Sequence, residues 1–120
     1  MNAITLRSVD RAEQLPADWG CLTWFASGVL GNSAAQTVGR CVLKPGCSNP
    51  RHLHPNCEEV LVVISGRIRH TVAGGEAELG PGDSVTIPPN IPHQAVNIGT
   101  GEAVLFICFS TADRKVQGEV

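Results

Sequence analysis

Short apolar runs, each cut off by glycine or proline after a strand's length, leave this chain few ways to fold. KPGCSNP (44–50), AGGE (73–76), GPGD (80–83), PPN (88–90) and GTGE (99–102) all read as turns. Thirteen glycines and eight prolines among 120 residues supply this punctuation. The runs between them, rich in Val and Ile, predict strands over 3–9, 21–29, 36–43, 51–54, 59–65, 67–72, 84–87, 93–98 and 103–110. Strands at this regular spacing predict an all-β sandwich or barrel, with residues 1–120 as a single domain. The only helical turn expected lies near 10–15.

Two of these runs are apolar in both alternating sets. In EVLVVIS, Leu61 and Val63 share a face with Glu59, while Val60, Val62 and Ile64 occupy the other. AVLFICF has the same character. A strand that is apolar on both faces needs a cover on each. A homodimer is the natural source of the second cover, and the chain's own N-terminal strand is the alternative.

Composition excludes several classes of function. A net charge of -2 and a pI near 6.0 leave no footprint for nucleic acid or an anionic membrane. No run approaches the roughly 20 apolar residues that span a bilayer, and the first residues lack a leader's apolar stretch. Five cysteines without CxxC spacing predict free thiols and a cytoplasmic location.

The chemistry concentrates in RHLHPNCEEVLVVISG, residues 51–66. His52 and His54 are one residue apart, so on a strand their side chains share a face about 7 Å apart, close enough to converge on one ion. Glu59 offers a carboxylate from the next strand if PNCE turns the chain back. His93, after the Pro-rich turn, adds a third imidazole. Three nitrogen donors and one anionic oxygen then stand at strand ends beside turns.

These residues carry a family resemblance. Gly46, five residues, His52, one residue, His54, four residues, Glu59, six residues and Gly66 resemble the first cupin motif. Gly82, five residues, Pro88, one residue, Asn90, two residues, His93, three residues and Asn97 resemble the second. The motifs span 46–66 and 82–97. The resemblance implies a small double-stranded β-helix, or jelly roll, with one divalent transition metal per chain held by His52, His54, Glu59 and His93. The count to Gly66 selects Glu59, leaving Glu58 to point the opposite way. One position departs from the pattern: Asn90 stands where a glycine is usual. Asn tolerates the left-handed backbone best after glycine, so the turn is expected to survive.

The ligand set by itself does not choose among iron, manganese, nickel, zinc, copper and cobalt; iron is expected first as the metal of the dioxygenase that the resemblance implies. Around it, His70 is a candidate proton carrier because it interrupts the apolar alternation of Ile68 and Val72. Arg40 is a candidate partner for a substrate carboxylate, and Trp24 and Phe106 are candidates for an apolar substrate pocket. Cys57 lies between two expected ligands, either within reach of the metal or packed as a small apolar group. Trp19 is expected to anchor the N-terminal segment, and the polar tail from 110 onward reads as an exchanged strand or a frayed end.

A site of this kind with open coordination positions implies an enzyme acting on a small molecule. The resemblance to single-domain cupins with four intact ligands puts a dioxygenase first. A metal-dependent isomerase, lyase or decarboxylase is the alternative, and a sugar-binding module without turnover is a third reading. An apolar pocket without an acid or base favours dioxygen chemistry, whereas His70 or Arg40 facing the metal favours proton transfer.

Overall fold

The computed structural model describes residues 4–118. Its strands are β1 (Glu13–Ala17), β2 (Gly20–Ala26), β3 (Thr37–Leu43), β4 (His52–Leu53), β5 (Glu59–Ser65), β6 (Ile68–Val72), β7 (Gly75–Leu79), β8 (Ser84–Ile87), β9 (His93–Asn97), β10 (Ala103–Phe109) and β11 (Gln117–Gly118). They form a six-stranded sheet, β1-β2-β3-β10-β5-β8, and a five-stranded sheet, β11-β4-β9-β6-β7. Every pairing between these strands is antiparallel. From β3 onward the chain passes to the opposite sheet at every connection except the β6–β7 hairpin. That winding path around one core is the expected jelly roll, and the Gly/Pro turns are its corners.

Alternation decides what the core contains. On β3, Thr37, Gly39, Cys41 and Leu43 are buried while Val38, Arg40 and Val42 are only partly covered. On β10, Ala103, Leu105, Ile107 and Phe109 point inward. Together with Leu61, Val63, Ile68 and Leu79 they make one apolar cluster between the sheets. Each fully buried Leu or Ile there contributes roughly 2 kcal/mol relative to exposure. Gly39 faces Trp24 across the β2–β3 ladder. A Cβ at that glycine would lie 2.4 Å from the indole, so its absence is what lets Trp24 turn into the interior.

Two features of the second motif hold it in shape. Asn90 has φ 67°, the left-handed conformation expected of it. Asn97, 1% exposed, donates to the carbonyls of Leu43 and Gly101 and accepts from the Gly99 amide. It therefore ties the two sheets together at the end away from the histidines.

The polar edges depart from expectation. Of the strand expected over 3–9, residue 3 lies outside the described residues, and 4–8 are not strand. The helical turn is a single 3-10 turn at Val9–Arg11, and β1 begins two residues later. β1 and β7 are mostly exposed, and β1 carries Pro16, as suits edge strands that need no apolar alternation. The tail forms β11 against β4 of the same chain. Neither β1 nor any other described strand lies over the outer face of β5 and β10, where Ile64 and Phe106 remain 47% and 40% exposed.

Candidate metal centre

Four side chains converge at one end of the barrel. β4 presents His52 directly opposite His93 at the start of β9. His54 follows the end of β4, where its carbonyl accepts the Asn90 amide at 2.9 Å and so fixes the backbone against the PPN turn. Glu59 opens β5 and is buried, while Glu58 is exposed, as strand alternation requires. The imidazole centroids lie 4.3 Å (His52–His93), 4.9 Å (His52–His54) and 5.2 Å (His54–His93) apart. One donor atom from each of the four residues lies within 4.8 Å of the others. An ion about 2.1 Å from each donor needs separations up to about 4 Å, so the cluster is close to ligating geometry.

The backbone also sets the tautomers. The Nδ1–H groups of His52, His54 and His93 donate to the carbonyls of Pro50 (2.7 Å), Lys115 (2.8 Å) and Ile91 (2.9 Å). A carbonyl can only accept, so each Nδ1 carries the proton and each Nε2 is left with a lone pair. Two of these Nε2 atoms face the same carboxylate oxygen, Glu59 Oε1, at 3.1 Å from His93 and 3.3 Å from His54. His54 Nε2 is nonetheless off the hydrogen-bond direction and has no partner. Lone pairs aimed at a carboxylate require a cation between them, either a proton or a metal ion.

Charge placement supports this fit. Burial works against ionising Glu59, but the neighbouring His54 and His93 hold its pKa down at about 2, so it stays anionic. Burial also works against charging His93. The Glu59 carboxylate and the Ile91 carbonyl overcome that and raise its pKa. Burial, reinforced by His93 and His54 against the Pro50 carbonyl, pushes His52 down to about 4, leaving it neutral. Three imidazoles and one carboxylate, each imidazole oriented by a backbone carbonyl, are a donor set for a divalent transition ion.

This cluster lies against a cavity of ≈ 370 Å³. Leu61, Leu105, Ile107, Phe109 and Trp24 give it apolar walls. His70 on β6 forms part of the lining, 2% exposed, with its ring stacked 5.9 Å from that of His93 and its Nδ1 unpartnered. Burial, with a smaller push from His93, lowers its pKa to about 4. Of the expected pocket residues, Trp24 and His70 reach the cavity.

Arg40 and Phe106 do not. They pair in register on the outer face of the six-stranded sheet, where Arg40 lies 5.5 Å over the Phe25 ring. Their neighbours Cys41, Leu105 and Ile107 take the inner face. Cys57 is buried in the core and is neither in the cluster nor in the cavity wall. All five cysteines are free. Trp19, expected to anchor the N-terminal segment, also lines the cavity, as do Arg114 and Val116 of the C-terminal strap and Gly118 of β11. Nothing in the polar tail signals that role.

Residues 39–109 match the family model of the cupin domain. A germin-like protein of Arabidopsis thaliana, subfamily 3 member 3, is 32% identical over 99 residues, covering 78% of this chain and 47% of that protein. The oxalate oxidase GF-3.8 of Triticum aestivum is 25% identical over 107 residues, covering 82% of this chain and 46% of its own length. Among solved structures, the oxalate decarboxylase of Bacillus subtilis, a protein with Mn(II) centres, superposes with a TM-score of 0.84 at 23% identity, over 92% of this chain and 30% of that one. The chain spans about half the length of these two curated relatives. Its fold, motifs and family match agree: the chain belongs to the cupin family.

Proposed function

On that premise we propose that this cupin is a metal-dependent enzyme acting on a small, oxygen-bearing organic molecule. The observation that carries the reading is the His52, His54, Glu59, His93 cluster set against a cavity that also contains His70, whose Nδ1 has no hydrogen-bond partner among the described residues. His52, His54 and His93 would hold the ion through Nε2, and Glu59 through its carboxylate. Bound there, a divalent ion supplies Lewis acidity towards a carbonyl or carboxylate oxygen and, if redox-active, electron transfer. Manganese, supported by the Mn(II) centres of the structural neighbour, stands ahead of iron.

Proton transfer is the chemistry that His70 favours. Its neutral imidazole, buried and unpaired, can take a proton from substrate or deliver one. In a decarboxylation the C–C bond breaks and its electron pair stays on the carbon that is retained. CO2 leaves, and a proton passed through His70 fills the vacated position. The largely apolar lining and the oxalate oxidase among the relatives support oxygen-dependent chemistry, including a dioxygenase, as the second reading.

Elemental analysis of the purified protein beside His93→Ala tests the site, with full metal in the first and none in the second expected. Oxalate then separates the chemistries: CO2 release without oxygen uptake supports the lyase, and coupled oxygen uptake the oxidoreductase. No metal in either protein after anaerobic loading sinks both readings. The exposed Ile64 and Phe106 support a homodimer through the outer sheet face. Sedimentation should then show a dimer that Phe106→Glu splits, and a monomeric parent protein refutes it. Five unbridged thiols support a reducing cytoplasm, to be checked by cell fractionation.

A further inference from the structure

One cationic group in the cavity wall has no role in the cluster. Arg114 lies on the C-terminal strap between β10 and β11. Its Cζ sits 4.4 Å over the Trp24 ring and 5.3 Å over Phe109. The same Phe109 ring packs edge-on against His54 at 4.9 Å, so one aromatic surface bridges the guanidinium and the metal cluster. Arg114 makes no hydrogen bond or ion pair with any described residue, although a guanidinium has five N–H donors to satisfy. Aryl faces hold it by cation–π attraction and leave its donor edge unspent.

The strap holds this residue deliberately. Asn56, in the loop between His54 and Glu59, donates from Nδ2 to the Asp113 carbonyl at 2.8 Å. Its Oδ1 accepts the Lys115 amide at 2.9 Å. One side chain thereby clamps the backbone on both sides of Arg114. The Lys115 carbonyl is also the group that orients His54. The loop that carries two ligands thus fixes where the guanidinium sits.

The geometry points to Arg114 as the residue that binds a carboxylate of the substrate, which makes this a site for small organic acids. The inference rests on the enzymatic reading above and names its substrate class. Glu59 is the one carboxylate among the described residues lining the cavity, and it is committed to the imidazoles and their ion. Glu59 and Glu13 act on the guanidinium only through space, so its planar fork has no ion-pair partner among the described residues and matches a carboxylate through two parallel hydrogen bonds. A molecule with a carboxylate at one end and a carboxylate or carbonyl oxygen at the other can engage Arg114 and the cluster together. Asn56 is the positioning residue for this contact.

Trp19 and Trp24 both line the cavity, so intrinsic fluorescence reports its occupancy. Wild type, Arg114→Gln and Arg114→Lys, each checked for equal metal content and unchanged circular dichroism, are titrated with oxalate and malonate and with the uncharged oxamide and malonamide. Saturable binding of at least one dianion is expected, weakened tenfold or more in Arg114→Gln and less in Arg114→Lys, with the amides bound poorly by all three. Equal dianion affinity in wild type and Arg114→Gln overturns the inference, as does equal binding of acid and amide or no binding of either acid to wild type. Dianion binding that depends on Arg114 in a protein that takes up no metal would sink the enzymatic reading and leave this one standing.

Discussion

Neighbouring strands of one cavity wall carry histidine, and they hold it in opposite ways. On the β4–β9 side, His52, His54 and His93 each give Nδ1–H to a backbone carbonyl, and His54 and His93 turn Nε2 toward Glu59. On the β6 side, His70 is as deeply buried as His93 and stacks on it, yet its Nδ1 has no partner at all. Locked tautomers suit atoms that must hold an ion in fixed geometry. An unpartnered imidazole suits an atom that must change its protonation. The same residue type, a few ångströms apart, is made rigid by the backbone in one case and left unsatisfied in the other.

Substitution should separate the two kinds of histidine sharply. His52→Ala and His93→Ala should lose nearly all bound metal by elemental analysis while the barrel still folds by circular dichroism. Full metal in both variants would mean that the ligand assignment is wrong. Replacing His70 should do the reverse: His70→Leu keeps the metal but lowers turnover by about 100-fold or more, the usual worth of a positioned acid or base. A turnover close to wild type would leave His70 as a packing residue.

The locks should be weaker but measurable handles. Asn56→Ala frees the strap whose Lys115 carbonyl orients His54, and metal affinity should fall about tenfold, the low end for groups that orient ligands. An unchanged affinity in a competition titration would show that the lock is dispensable. Acidification acts on the ligands themselves. His93 must be neutral to ligate, and its pKa lies above the ordinary value. Affinity should therefore begin to fall above pH 6.5, by roughly tenfold per pH unit for each proton displaced. That onset is higher than the pH of about 6 that unperturbed imidazoles alone suggest. A chelator titration that stays flat from pH 8 to 6 would contradict it.

The smallest effect is on stability. In metal-free protein, His70 has its pKa depressed from 6.5 to about 4, so the unfolded chain takes up its proton first as pH falls. Its contribution is present above pH 6.5 and is lost on the way to pH 4, amounting to at most about 3 kcal/mol. His70→Leu removes both that titration and an unsatisfied buried nitrogen. It should raise stability at neutral pH by about 1 kcal/mol and flatten the acid limb of a melting curve series. A destabilised variant with the same acid slope would refute the assignment.

Much of this was legible before any coordinates. Spacing alone singled out His52, His54, Glu59 and His93, because a period of two and a tight turn already restrict which side chains meet. The cupin-motif count to Gly66 separated Glu59 from Glu58, and strand parity then turned Glu58 outward. The turn chemistry of Asn90 was equally local, since a φ of 67° is a property of one residue and its neighbours. The edges were less legible. β1 and β7 contribute backbone hydrogen bonds more than apolar surface, so they carry little of the alternation by which strands are recognised. Arg40 and Phe106 could not be assigned a face from the sequence for a related reason. Alternation tells which residues share a face but not which face looks inward when both are apolar.

Local rules therefore settled the turns, the all-β class and the identity of the clustered donors, because each depends on residues near one another in sequence. Closure of the site was settled by the assembled barrel. His54 takes its tautomer from a carbonyl 61 residues away, Arg114 finds its aromatic seat on Trp24 and Phe109, and His70 is stranded beside His93 by strand pairing. Those contacts join parts of the chain that are distant in sequence, and no spacing along the backbone encodes them.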